Sequence, residues 1–193
     1  MKLRSLVVAL ALATGVSAAA SAQGALYINP IAMRISNTAD YSLYSFLGSG
    51  ATSRMFYGVN MGGYYDLPLK QKFEVGIDMH DSILHGNNAS INSFMVGPRI
   101  AFQPFQNPLH IYIEPMVGAG TTRAPNTIIR VNKVQYGVLA GLDDQFSKHV
   151  TWRVVEVGYS SLKTASGETI GASEAVPAAN VISITMGLTF RLP

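Results

Sequence analysis

From residue 178 to residue 191 apolar and polar side chains take strict turns. Ile182, Ile184, Met186, Leu188 and Phe190 fall on one parity, and Ser183, Thr185, Gly187, Thr189 and Arg191 on the other. Successive side chains of a strand point to opposite faces, so this segment predicts a strand with one face apolar from end to end. Seven weaker copies precede it. Alternating runs bounded by Gly, Pro, Asn and Asp predict strands over 25–35, 52–65, 72–82, 91–103, 109–120, 132–143, 149–161 and 178–191. No helical pattern competes. The predicted connections alternate in character: 36–51, 83–90, 121–131 and 162–177 are long, whereas 66–71, 104–108 and 144–148 are short.

The faces can be followed strand by strand. In the second, Tyr57, Val59, Met61, Gly63 and Tyr65 oppose Gly58, Asn60 and Gly62, with Tyr at both ends of the apolar stripe. In the third, Phe73, Val75, Ile77 and Met79 oppose Glu74, Gly76, Asp78 and His80; in the fourth, Phe94, Val96, Pro98, Ile100 and Phe102 oppose Ser93, Gly97, Arg99 and Ala101. The fifth sets Ile111, Ile113, Pro115 and Val117 against His110, Tyr112, Glu114, Gly118 and Gly120. The sixth sets Val134, Tyr136, Val138, Ala140 and Leu142 against Gln135, Gly137, Gly141 and Asp143. In the seventh, Arg153 and Glu156 share a face only if the strand carries a one-residue bulge. The first strand is ambiguous, because Asn29 and Arg34 differ in parity and Pro30 marks a candidate slip between them.

The N-terminus changes the setting. Lys2 and Arg4 precede an apolar stretch from Leu6 to Val16 and a small-residue end, Ala20-Ser21-Ala22, which is the pattern of a secretory signal over residues 1–22. Residues 23–193 then suit a single domain. The formal net charge of +3 includes Lys2 and Arg4, so the exported chain would be close to neutral, and nucleic acid is not an expected partner. There is no cysteine, which removes any disulfide framework and any lipid-attached Cys. After residue 22 no run reaches the roughly 18 apolar residues that a spanning helix needs. Yet only 13% of residues are charged, well below the roughly 25% of ordinary soluble domains.

Alternation alone fits a soluble, lipocalin-type barrel as well as a membrane barrel. The polar face separates the two. A solvated exterior should be dense in Lys and Glu, whereas here that face is mostly Gly, Ser, Thr and Asn with a few isolated charges. The expected fold is therefore all-β, an eight-stranded antiparallel up-and-down transmembrane β-barrel, closed because lipid offers unpaired amides no partner. Both termini would lie in the periplasm of a Gram-negative-type cell envelope. Tyr57, Tyr65, Phe94, Phe102, Trp152, Ile182, Ile184 and Phe190 are the expected lipid-facing residues. Inside, Glu74, Asp78, Glu114 and Glu156 face Arg99, Arg153 and Arg191, with His80 and His110 nearby. Isolated charges in so narrow a space are costly, so an ionic network is expected with Arg99 and Arg153 as hubs, since a guanidinium bridges two carboxylates.

The export segment ending Ala20-Ser21-Ala22, the eight alternating strands, the tight turns Asp66-Leu67-Pro68 and Gln103-Pro104-Phe105, and the closing Ile184-Thr185-Met186-Gly187-Leu188-Thr189-Phe190 resemble the OmpA/OmpX-type eight-stranded outer-membrane barrels. The resemblance covers 25–193 as a pattern of architecture. It implies insertion by the barrel-assembly machinery, which recognises a terminal aromatic strand; Phe190 is that aromatic, displaced from the end by Arg191-Leu192-Pro193.

Other chemistry is thin. Asp78, His80 and Ser82 share a parity, but residues two apart on a strand sit about 6.5 to 7 Å from one another, too far for the direct hydrogen bonds that serine chemistry needs. His80 and His85 have no spacing that fixes a metal geometry, and Gly118-Ala119-Gly120 lacks the helix a phosphate loop needs. No catalytic residue, metal or cofactor is expected. Asn88-Ala89-Ser90 marks an exposed loop. Arg123, Arg130 and Lys133 are loop cations suited to lipopolysaccharide phosphates. The first loop, 37–51, with Tyr41, Tyr44, Phe46 and Leu47, is either a partner surface or a cap over the mouth, and the last loop carries Glu168 and Glu174. The leading expectation is a monomeric, non-enzymatic structural or surface-interaction protein among outer-membrane lipids and lipopolysaccharide. A small-solute channel and a lipid A-modifying enzyme are the rivals.

Overall fold

A computed structural model describes residues 23–36, 38, 40–41, 44–47, 50–70, 72–104, 108–165 and 178–192. Residues 1–22, read above as an export segment, Glu168, Glu174 and the side chains of Tyr41 and Tyr44 lie outside the described residues. The strands are β1 (Gln23–Ser36), β2 (Asp40–Tyr41), β3 (Tyr44–Ser45), β4 (Ser53–Lys70), β5 (Phe73–Gly86), β6 (Ala89–Phe102), β7 (Leu109–Arg123), β8 (Arg130–Gln145), β9 (Val150–Leu162) and β10 (Ala179–Arg191). Eight of them close a barrel in the order β1-β10-β9-β8-β7-β6-β5-β4, every neighbour antiparallel, and β2 and β3 form a small hairpin within the first loop. Closure leaves the barrel no sheet edge, so each of its strands has a hydrogen-bonded neighbour on both sides.

Three sequence expectations need correction. The interval 83–90 is not a long loop: β5 runs to Gly86, β6 starts at Ala89, and Asn87 and Asn88 alone join them with φ of 47° and 61°. A two-residue hairpin whose twist matches its strands needs positive φ at both central positions, which Asn tolerates better than most residues. Asn88→Val should therefore destabilise the barrel by about 1 to 2 kcal/mol, read as a lower urea midpoint, while Asn88→Gly leaves it unchanged or raised.

The second correction concerns Asp66-Leu67-Pro68, which continue β4 and make no turn. Asp66 is thereby carried inward and buried. The third is β1. Its alternation has no slip: Ala25, Tyr27, Asn29, Ile31, Met33 and Ile35 all point inward, and Arg34 points out, donating to Ser53 Oγ at 3.2 Å. Pro30 shows itself in the ladder instead. Pairing of β1 with β10 passes from Tyr27 opposite Thr189 to Ile31 opposite Thr185, skipping the stretch where proline has no N–H to give. The same gap recurs between β6 and β7, which pair up to Val96 opposite Val117 and resume at Ile100 opposite Ile113, on either side of Pro98 and Pro115.

Candidate functional site: the barrel interior

The interior is built in two layers of different chemistry. Toward the turn ends of the strands lies an ionic layer. Arg99 on β6 reaches three carboxylates: Nε to Asp66 Oδ2 at 3.2 Å, Nη1 to Glu114 Oε1 at 2.6 Å, and Nη2 to Asp143 Oδ2 at 3.0 Å. Arg153 on β9 takes the other oxygen of Asp143 at 3.2 Å and Glu156 Oε2 at 2.8 Å. Asp143 therefore bridges the two guanidiniums. The ring of Tyr112 is a second bridge, with Arg99 Cζ 3.8 Å and Arg153 Cζ 5.1 Å from its centroid, and its hydroxyl donates to Glu156 at 2.7 Å. Tyr64 and Tyr27 cover the outer faces of Arg99 and Arg153 at 4.2 and 4.5 Å. Cation and ring attract most where water is excluded, which is the case here. Glycine at 141 makes room for this stack, because a Cβ there would strike the Tyr112 ring.

Backbone irregularity is what aims these side chains. Across β8 and β9, Leu142 pairs with Val155 but Asp143 pairs with Arg153, so Val154 is an extra residue. This bulge turns Arg153 and Glu156 to the same side, where both are buried. The Arg99 to Glu114 bond crosses from β6 to β7 at the level where Pro98 and Pro115 interrupt the ladder. A short charge-assisted bond thus ties the strands where backbone bonds are missing.

Of the seven residues read from the sequence as one network, the structure joins Arg99, Glu114, Arg153 and Glu156 directly. Asp78 stands one step away: it accepts from the Tyr27 hydroxyl at 3.1 and 3.0 Å and touches neither arginine; it also accepts from His80 Nδ1 at 3.0 Å, a bond the strand spacing was expected to forbid and which the two side chains make by leaning toward one another. Arg191 donates to Thr151 Oγ1 at 3.0 Å and Gln145 Oε1 at 3.4 Å near the strand ends. Glu74 is half-buried and has no ion pair among the described residues. His110 lies beside the Pro108 carbonyl at 3.1 Å. Asp66 and Asp143 complete the cluster and were not in the sequence set. The parity of Asp143 pointed inward, whereas Asp66 was hidden by its neighbours Leu67-Pro68, which read as a turn.

Toward the loop ends the interior is apolar. Ile35, Phe56, Leu84, Ile91, Leu162 and Val181 point inward from the strands, and Phe46 and Leu47 of the first loop descend onto them. Phe46 lies flat on Phe56, with centroids 5.5 Å apart and planes 12° from parallel. Of the two readings of the first loop, its described part is a cap over the mouth. Between the layers remains a cavity of about 30 Å³ lined by Asn60, His80, Ser82, Ser93, Gln135 and Glu156 among others.

The eight residues expected to face lipid, Tyr57, Tyr65, Phe94, Phe102, Trp152, Ile182, Ile184 and Phe190, all project from the outer wall. Seven are more than a third exposed, and Phe102 is partly covered by the ring of Phe73 at 4.8 Å. Among the cations read as loop residues, Arg123 ends β7 and Arg130 begins β8, both pointing outward, whereas Lys133 sits on the inward parity of β8.

This architecture has relatives among solved structures. Ail, the attachment invasion locus protein of Yersinia pestis, superposes with a TM-score of 0.54 at 10% identity over 89% of this chain and 99% of its own. Neisserial surface protein A matches with a TM-score of 0.54 at 12% identity over the same shares. Ail in complex with the heparin analogue sucrose octasulfate gives 0.51, 12%, 89% and 99%. The fold is that of the eight-stranded outer-membrane β-barrels. No family model matches the sequence, and no curated protein is similar to it. At such identities the likeness carries the architecture and leaves function to the residues.

Proposed function

We propose that this chain is a non-enzymatic outer-membrane barrel with a structural or surface-interaction role. Residues 1–22 direct its export, the barrel-assembly machinery inserts it, both termini lie in the periplasm, and it stands as a monomer among outer-membrane lipids and lipopolysaccharide. The observation that carries this is the inversion of the wall: Ile28, Tyr57, Val117, Trp152, Ile184 and Phe190 are outside and half exposed or nearly so, while Arg99, Arg153 and Glu114 are sealed within. Water would drive that arrangement the other way, and lipid supports it.

Catalysis finds no support in the interior. Ser82 gives its hydroxyl to Asn60 Oδ1 at 3.0 Å, His80 is engaged by Asp78, and the cavity of about 30 Å³ beside them is far below the roughly 300 Å³ at which ligand sites begin. Conduction is opposed by two seals in series, the apolar layer under Phe46 and the ionic layer around Arg99.

The test is gel migration of the membrane fraction with and without boiling, together with conductance across planar bilayers. A folded barrel gives a band that shifts on heating, and the bilayers stay silent. Recovery of an unshifted protein in osmotic-shock fluid would sink the membrane reading, and stepwise conductance would favour the channel.

A further inference from the structure

Among the described residues, the outer wall carries at its loop end a row of polar side chains whose two arginines have no carboxylate partner. His85 pairs with Ser90, Ser90 with Arg123, and Arg123 with Arg130, so these four outward residues form a single row across β5, β6, β7 and β8. Two arginines directly opposite one another repel, which a ladder ordinarily avoids. Neither has a carboxylate partner among the described residues. Arg123 is nonetheless held in place, donating through Nε to Ser90 Oγ at 3.3 Å and through Nη1 to the Thr127 carbonyl at 3.4 Å. The acid on this face of β5, Asp81, is engaged by Asn92 Nδ2 at 3.4 Å.

The surroundings leave the row open to a ligand from outside. A half-open hollow of about 260 Å³ is lined by His85, Ser90, Arg123 and Arg130, and a shallower, open depression lined by Asn88, Arg123, Asn126, Thr127 and Ile128 adjoins it at Arg123. Further along the same strands, away from the loops, the next outward row is Ile83, Asn92, Thr121 and Asn132, and beyond it Phe94, Ala119, Val134 and Val117 give an apolar wall broken only by Asp81 on β5. A ligand that fits both parts has an anionic head and long apolar chains. Two facing guanidiniums call for more than one negative charge, and a phosphomonoester supplies close to two, with three acceptor oxygens.

We propose that this row binds the phosphomonoester of an outer-leaflet lipid, with Arg123, Arg130 and Ser90 on the phosphate and the acyl chains along the wall of β5 to β8. The proposal rests on the outer-membrane reading above and adds to it a site and a headgroup chemistry. His85 stands at the end of the row nearest β4.

The experiment uses the folded protein in neutral detergent micelles and native mass spectrometry to count bound lipid. Lipid A bearing two phosphomonoesters is titrated against the same lipid with its phosphates removed, and inorganic phosphate is added as a competitor. The proteins are the wild type, Arg123→Ala/Arg130→Ala, Arg123→Lys/Arg130→Lys, and Lys148→Ala, a cation of the opposite rim. Losing charge-assisted bonds from two arginines should weaken phosphorylated lipid about a hundredfold. The lysine pair loses less than the alanine pair, Lys148→Ala changes nothing, and dephosphorylated lipid binds as weakly to wild type as phosphorylated lipid binds to the alanine variant. Equal binding of the two lipids, or equal binding by wild type and the alanine pair, overturns the site. Competition by inorganic phosphate at the lipid's own concentration means a free-anion site and overturns the lipid assignment. A heat-shift gel on the same samples separates the two readings: a shifted band without phosphate preference defeats this site alone, and a wild type with no shifted band defeats the outer-membrane reading and the site with it.

Discussion

Replacing Arg99 by methionine should lower the unfolding free energy of the barrel by about 3 to 5 kcal/mol, the cost of leaving buried charge without its partner. Asp66 and Glu114 would be stranded together, Asp143 would keep only Arg153, and the tie across the proline gap between β6 and β7 would be lost. Urea unfolding in lipid, followed by the fluorescence of Trp152, the single tryptophan, reports it directly. Arg153→Met should cost less, because it strands only Glu156, Asp143 keeping its bond to Arg99. The two losses should not add: Asp143 and Tyr112 are shared, so a double-mutant cycle should show coupling of about 0.5 to 3 kcal/mol. Adding Asp66→Asn, Glu114→Gln and Asp143→Asn to Arg99→Met should restore much of the stability, since the penalty lies in the unpaired charges and not in the missing side chain. A fall below about 1 kcal/mol for Arg99→Met, the range of exposed pairs, would mean that water reaches the cluster.

The parity of side chains made most of the wall legible. Wherever one face met lipid and the other met polar packing, as along β10 and β5, the alternation in the sequence is the alternation in the barrel. The bulge in β9 was legible for the same reason, because Arg153 and Glu156 can share a face in no other way. Legibility failed where the two faces ceased to differ. Near the loop ends Met55-Phe56-Tyr57, Ile83-Leu84 and Val181-Ile182 are apolar on both sides, one residue facing out and the next packing under Phe46 and Leu47, so no alternation remained to reveal the inner plug. Turn chemistry misled in both directions. Asp66-Leu67-Pro68 has the composition of a turn but continues a strand, and this hid a ligand of Arg99. Asn87-Asn88 sits in a stretch polar enough to pass for a long loop but is a two-residue hairpin. Long-range register, which brings Asp66 of β4 to Arg99 of β6 over the bare backbone of Gly76 on the intervening β5, leaves no local trace in sequence.

The outward face itself can be tested by depth. Val138 lies near the middle of β8 and Asn132 near its loop end, both on the outer wall, six residues apart, or about 20 Å along the strand. In a bilayer Val138→Arg should cost about 2 to 4 kcal/mol, and Asn132→Arg about 0 to 1, because the guanidinium at the second position reaches the headgroups. In a water-soluble barrel both positions would be surface sites, and either change would stay within about 0.5 kcal/mol. The contrast between the two positions therefore decides more than either value, since local packing defects carry no dependence on depth. Measured as urea midpoints in vesicles, a large cost at 138 with little at 132 places the apolar wall in lipid. Equal and small effects would mean that Ile184, Val117 and their neighbours face something other than acyl chains, and the sealed ionic interior would then need another explanation.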